Sequence, residues 1–174
     1  MPRARRYELP HHARYLTFSC YHRLQLFNND AIKQVFVDAL GLARDKHRFR
    51  LVAWVLMPEH VHLLIVPDLP EHPLSQILQT IKQRVSRAVL PRLRQLDAPI
   101  LPRLTDPAGH THFWQRGGGY DRNITQPEAL SETIAYIHAN PLRRELVSRT
   151  VDWPWSSARW YAGEDALVPI DGAR

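Results

Sequence analysis

Two apolar runs, Leu51 to Met57 and Val61 to Val66, stand only three residues apart, and that proximity constrains the chain more than any other feature. Both are rich in Val, Leu and Ile, and the intervening Pro58-Glu59-His60 suits a tight antiparallel return, so a β-hairpin is predicted. Hydrophobic period assigns the neighbours. Arg14 to Cys20 alternates, with Leu16, Phe18 and Cys20 on one face and Tyr15, Thr17 and Ser19 on the other, as a strand does. From Asp30 to about Lys46, Ile32, Val35, Phe36, Ala39, Leu40 and Ala43 recur at helical spacing behind the capping residues Asn28, Asn29 and Asp30. Leu74, Ile77, Leu78, Ile81, Val85, Ala88 and Val89 predict a second helix, with Gln79, Lys82, Arg84 and Arg87 largely off its apolar stripe.

Residues 91–110 carry Pro91, Pro99, Pro102 and Pro107 and read as an irregular connection, after which Thr111 to Arg116 is the predicted fourth strand. The order β-α-β-β-α-β is that of the ferredoxin-like split fold: an α+β chain with an antiparallel sheet, both helices on one face and the other face open. Beyond it, Thr125 and Glu128 have capping-box spacing, Pro127 lies in the first turn, and Leu130, Ile134 and Ile137 form a stripe ending at Asn140-Pro141, which predicts a third helix. With 174 residues the chain is the size of one domain. It divides into a basic arm (1–12), a core (13–140) and an extension (141–174).

Cys20 is the single cysteine, which excludes an intrachain disulfide and a thiolate zinc site. The longest apolar run, Leu51 to Met57, is far short of a membrane span, and no apolar leader stretch is visible, so a cytoplasmic protein with no membrane association is expected. A net charge of +6 favours an anionic partner, nucleic acid first. Only Lys33, Lys46 and Lys82 among the 23 basic residues are lysine, and arginine's planar fork suits phosphate. A GC-rich genome would produce the same arginine excess without any such partner.

On a strand, His60 and His62 project from one face, so both imidazoles can chelate one metal on the face away from the helices. Taken alone, such a pair is more commonly two partly exposed histidines on a strand. The segment Phe113 to Arg122 adds three glycines followed by Tyr120, flanked by Arg116 and Arg122. Glycine permits close approach to a phosphate and lets the adjoining segment move, so a tyrosine there can attack a phosphodiester; a flexible turn with a packed tyrosine is the structural alternative.

Five blocks in order then carry a resemblance: Tyr21-His22-Arg23; Met57-Pro58-Glu59-His60-Val61-His62-Leu63-Leu64; Phe113-Trp114-Gln115 leading to Tyr120-Asp121-Arg122; Tyr136-Ile137-His138-Ala139-Asn140-Pro141; and Asp152 to Ala158. With these the chain resembles the REP-associated tyrosine transposases, relatives of the single-tyrosine HUH transposases. The resemblance implies a single-strand DNA endonuclease and strand transferase acting at palindromic repeats through a 5′-phosphotyrosine, with Tyr120 as nucleophile and His60 and His62 as metal ligands. It implies magnesium or manganese, with zinc as a further option, and single-stranded or hairpin DNA as partner, handled by a monomer or homodimer. Related transposases place an amide-bearing third ligand about one helical turn after the tyrosine. Ile124 stands at that position here, so Asn123 or Glu59 is left as candidate third ligand. Arg3, Arg5, Arg6, Arg116 and Arg122 are the candidate DNA contacts. The rival readings are a noncatalytic binder of structured DNA or RNA, and a hydrolase in which water attacks. Trp153, Trp155 and Trp160 are expected to pack rather than to stack on bases.

Overall fold

The computed structural model describes residues 12–117 and 119–171. Strand β1 (Ala13–Ser19) leads through two short 3-10 turns into α1 (Asp30–His47), followed by β2 (Arg50–Leu56) and β3 (His60–Val66). Then come α2 (Leu74–Gln95), the four-residue α3 (Leu101–Leu104), β4 (Tyr120–Ile124), α4 (Pro127–Arg143) and the four-residue α5 (Ala158–Tyr161). The sheet order is β2-β3-β1-β4 with every neighbour antiparallel, the split arrangement expected from the order of elements.

One sheet face buries Leu16, Phe18, Leu51, Trp54, Leu56, Val61, Leu63 and Ile65 against Phe36, Val37, Leu40 and Ala43 of α1 and Ile77, Ile81, Val85 and Val89 of α2. Asn29 caps α1 by accepting from the Ala31 and Ile32 amides. In β2 the inward parity changes between Leu51 and Trp54 because the register against β3 slips between Leu51 and Ala53, a bulge that turns Ala53 and Val55 to the other face.

That other face is not open over its whole width. Helix α4 lies on it, packing Ile137, Ile134, Leu130 and Ala129 with Trp153 against Ala13, Ala53, Val55, Met57, Leu64 and Ile124. Both faces of β2 and β3 are therefore buried, which is why these strands read as unbroken apolar runs instead of alternating. The expected Thr125 cap is absent: α4 starts after Gln126 without a side-chain cap bond. Segment 152–158 closes the outer edge of the sheet, with the Trp153 indole donating to Leu56 O at 3.0 Å and the Ser157 amide to Trp54 O at 3.0 Å. Trp160 is buried, and Trp153 and Trp155 pack against the two cores.

The predicted strand Thr111–Arg116 is corrected to Tyr120–Ile124. The earlier segment touches the sheet only through a bridge between Cys20 and Trp114, flanked by bonds from the Tyr21 amide to Phe113 O and from the Gln115 amide to Ser19 O. Its aromatic residues, Phe113 and Trp114, plug the end of the helix-side core. The chain then joins β1 as an edge strand from Tyr120. Gly119 makes this return at φ +66°, so close that a Cβ there would sit 2.0 Å from Thr17 O. Helix α2 also runs on through Pro91 to Gln95, beyond the expected stop.

Candidate active site

Register decides which side chains meet. His62 pairs with Thr17, Thr17 with Tyr120, and Tyr15 with Arg122, so these residues form a row across three strands on the face that α4 partly covers. Where α4 stops covering the sheet, a cleft of about 600 Å³ remains, lined by Tyr15, Thr17, His62, Tyr120 and Arg122 from the sheet and by Glu132, Thr133 and Tyr136 from α4.

His60 and His62 are 7% and 5% exposed, and their Nε2 atoms converge to 2.9 Å. The Nδ1 atoms are occupied elsewhere. His60 Nδ1 lies 3.0 Å from Glu59 Oε1, while His62 Nδ1 lies 2.7 Å from the Tyr15 hydroxyl and 3.0 Å from Thr17 Oγ1. Oxygens that accept an Nδ1 proton leave the Nε2 lone pair for a cation, the usual support behind a ligating histidine. Burial is the main cause that holds both imidazoles neutral: His60 is pushed below its ordinary value, and His62 down to about 3, although a hydrogen bond donated by the ring to the Asn140 side-chain oxygen would favour the protonated form. Neutral imidazole is the ligating form.

Among the described residues, no three His, Cys, Asp or Glu side chains surround a common point. The two imidazoles, with the Asn140 side chain near enough to bear on His62, are the groups here whose donor chemistry could suit a divalent cation. The other two candidate ligands sit elsewhere. Asn123 pairs with Arg14 and so points to the face opposite Tyr120 and His62, and Glu59 engages Nδ1 of His60 rather than the Nε2 side. Burial pushes the Glu59 carboxyl up, but the Arg144 hydrogen bond and His60 outweigh it and leave the group below its ordinary value.

Two tyrosines face this pair across the cleft. Tyr120, at the start of β4, is 53% exposed and meets the Tyr15 ring edge-on at 5.7 Å. Tyr136, on α4, is 44% exposed and meets the His62 ring edge-on at 5.9 Å. Arg143 lies over the Tyr136 ring at 5.2 Å. One turn after Tyr136 on the same helix, Asn140 donates from Nδ2 to Tyr136 O at 2.9 Å. Sequence reasoning places Tyr136 and Asn140 in a block that carries the resemblance but gives neither a role in the site. Their signal was the i, i+4 spacing of a tyrosine and an amide, which Tyr120 and Ile124 lack.

The candidate DNA contacts separate. Arg122 lines the cleft. Arg116 does not: it lies 3.4 Å from Asp106 in a groove with Lys82, Arg87, His112 and Gln115. Arg3, Arg5 and Arg6 lie outside the described residues.

The family model described as "Transposase IS200 like" matches residues 11–140. A Haemophilus influenzae protein named as a REP-associated tyrosine transposase is 25% identical over 145 residues, covering 82% of this chain and 77% of that protein. An Escherichia coli K12 protein of the same name is 24% identical over 140 residues, covering 80% and 72%. The solved structure of a REP-associated tyrosine transposase bound to a REP hairpin superposes with a TM-score of 0.72 at 23% identity, covering all of this chain and 92% of that one. The fold is the same.

Proposed function

The chain belongs to the IS200-like transposase family, and we propose that it cuts and rejoins single-stranded DNA at palindromic repeats through a covalent 5′-phosphotyrosine. The named relatives, described as REP-associated, and the relative bound to a REP hairpin support this substrate class. The observation that carries the reading is the shared cleft, in which a solvent-accessible phenol stands beside a pair of buried neutral imidazoles with converging Nε2 atoms.

The favoured nucleophile is Tyr136. Its support is threefold: the direct ring contact with His62, a rigid helical mount, and Asn140 one turn later, the amide spacing that the resemblance calls for. Tyr120, the residue singled out from sequence, is the second reading, favoured by its exposure and by its place beside Gly119 and Arg122. In either case the phenol oxygen bonds to phosphorus as the 3′-oxygen leaves. The proton given up by the phenol balances the one taken by the departing oxygen, so the phosphodiester energy is kept for rejoining. His60, His62 and Asn140 would hold magnesium or manganese, which supplies polarisation of the phosphate and neutralisation of its developing charge. Glu59, Tyr15 and Thr17 fix the ring orientations, and Arg122 lies where it can hold the strand.

The test is adduct formation on a denaturing gel, with a labelled palindromic oligonucleotide and Mn²⁺. Tyr136→Phe should abolish both cleavage and adduct while Tyr120→Phe retains them. The reverse pattern transfers the role to Tyr120. Metal-dependent cleavage that survives both substitutions would establish a hydrolase, and wild-type protein that binds without any adduct would establish the noncatalytic binder.

A further inference from the structure

The turn Tyr21–Arg23 is a conspicuous block that the cleft does not use. It is strained: His22 and Arg23 hold φ of +50° and +53°, left-handed angles that side chains other than glycine adopt only at a cost. It is also anchored. The His22 amide donates to Gln115 Oε1 at 3.0 Å and the Arg23 amide to Cys20 O at 3.0 Å.

The result is to bring Arg23 Nη2 to 3.7 Å from Glu59 Oε1, the oxygen that already accepts from Arg144 Nη1 at 2.9 Å and contacts His60 Nδ1 at 3.0 Å. Arg144 arrives from a different element, at the end of α4. The carboxylate is buried, at 6% side-chain exposure, while the two guanidinium side chains are 65% and 47% exposed. Two positive charges thus converge on one negative charge beside His60, with one charge in excess and both side chains open to solvent. From Arg23 outward runs a cleft of about 680 Å³, lined by His22, Gln25, Asn28, Asn29 and Arg103 and, among the described residues, by no acidic side chain.

We propose that Arg23 and Arg144, held in line by Glu59, form a clamp for one backbone phosphate of the single-stranded DNA next to His60, on the side of the histidine pair away from Tyr120. Planar guanidinium forks match phosphate oxygens in pairs, and a shared carboxylate behind them keeps both forks aimed at one point. Glu59 is then a positioning residue with two tasks, orienting His60 and spacing the two arginines. The inference rests on the DNA-processing reading but not on which tyrosine attacks.

The experiment uses the full chain without divalent cation. Fluorescence anisotropy follows binding to a labelled hairpin with single-stranded flanks, and to a series of the same oligonucleotide carrying one neutral methylphosphonate at successive positions. The clamp predicts one position where wild-type protein loses about tenfold in affinity and where Arg23→Gln with Arg144→Gln, itself about tenfold weaker on the unmodified strand, loses nothing more. The double variant should also lower the slope of log affinity against log salt by about 0.7, the counterion release of one single-strand phosphate. Effects that simply add at every position, or a double variant that binds as wild type does, overturn the clamp. Should Arg144→Gln fail to fold, Arg23→Gln decides alone, since its side chain is mostly exposed. Adduct assays on the same preparations separate the two readings. Adduct without coupling removes the clamp and leaves strand transfer; coupling without adduct does the reverse; wild-type protein that binds none of the oligonucleotides removes both.

Discussion

Gly119→Ala tests the return of the chain onto the sheet edge, and Gly117→Ala is its control. Both glycines hold positive φ, +102° at Gly117 and +66° at Gly119, but a Cβ at 117 meets nothing within 4 Å whereas one at 119 falls 2.0 Å from Thr17 O. Strain from the left-handed region costs an alanine about 1–2 kcal/mol, and Gly117 is the further of the two from the angle that L residues tolerate, so strain alone ranks its substitution as no milder. The clash adds a separate cost at 119. An acceptable contact needs about 1 Å of separation between β4 and β1, which breaks the pairing of Thr17 with Tyr120 at the end of that ladder. Adding one or two lost hydrogen bonds at about 1 kcal/mol each gives about 3 kcal/mol in total. For a chain of this length that is a fall in Tm of roughly 6–12 °C for Gly119→Ala against roughly 2–8 °C for Gly117→Ala. Thermal melts read by circular dichroism decide the matter. Equal losses, or a greater loss at Gly117, would refute the close approach of the glycine loop to β1.

Two further predictions concern buried charge. Arg14, 2% exposed, donates from Nε to Asp121 Oδ1 at 3.0 Å and pairs through Nη2 with the other oxygen; Arg14→Met strands the Asp121 charge and should cost about 3–5 kcal/mol in urea unfolding. Adding Asp121→Leu should recover at least half of that, and a double variant no better than the single one would show that the pair is not what joins β1 to β4. Burial holds His62 down to about 3 and His138, which bonds Ser157 Oγ at 2.8 Å, down to about 4. Both stay neutral in the fold where the unfolded chain takes up protons near 6.5, so below that pH the unfolded state binds more protons and stability falls as pH drops from about 6.5 toward 4. His138→Gln should flatten the profile; stability unchanged across this window would contradict the burial of these rings.

Much of the architecture was legible because hydrophobic period reports burial directly. Strands β1 and β3 and helices α1, α2 and α4 emerged from it with bounds displaced by a few residues. Strand β4 did not, since in Tyr-Asp-Arg-Asn-Ile only Ile124 is buried and a polar edge strand carries no alternation to detect. The aromatic Phe113-Trp114 pair imitated a strand because it is buried for another reason, as a plug at the end of the core. Within the site, parity alone put His60 and His62 on one face, and the Nε2 contact agrees. Asn123 was misjudged because distance along the chain from Tyr120 says nothing about face; only the register with Arg14 reveals that it points away. The i, i+4 spacing of Tyr136 and Asn140 is visible in the sequence, but the contact of Tyr136 with His62 is not, since it crosses from a helix to the middle of the sheet.

Helix α4 joins stability to chemistry. Ile137 is fully buried against Ala53, Val55 and Leu64, and the residues on either side of that anchor are the ones that face the histidines: Tyr136 one position before and Asn140 one turn after. The same burial that seals half of the second sheet face therefore sets the depth and angle at which the phenol and the amide meet His62. A one-methylene error in that packing cannot be absorbed elsewhere, because close-packed interiors transmit displacement, and a shift of about 1 Å at a reacting group can cost about a hundredfold in rate. Substitution at Ile137 should accordingly lower adduct formation at temperatures where the protein is still fully folded. The remaining cleft is open because α4, packed on Ala13 and Ile124, leaves Tyr15, Thr17, Tyr120 and Arg122 of the same two strands accessible, so the helix that carries the favoured nucleophile also defines the entrance through which a strand must come.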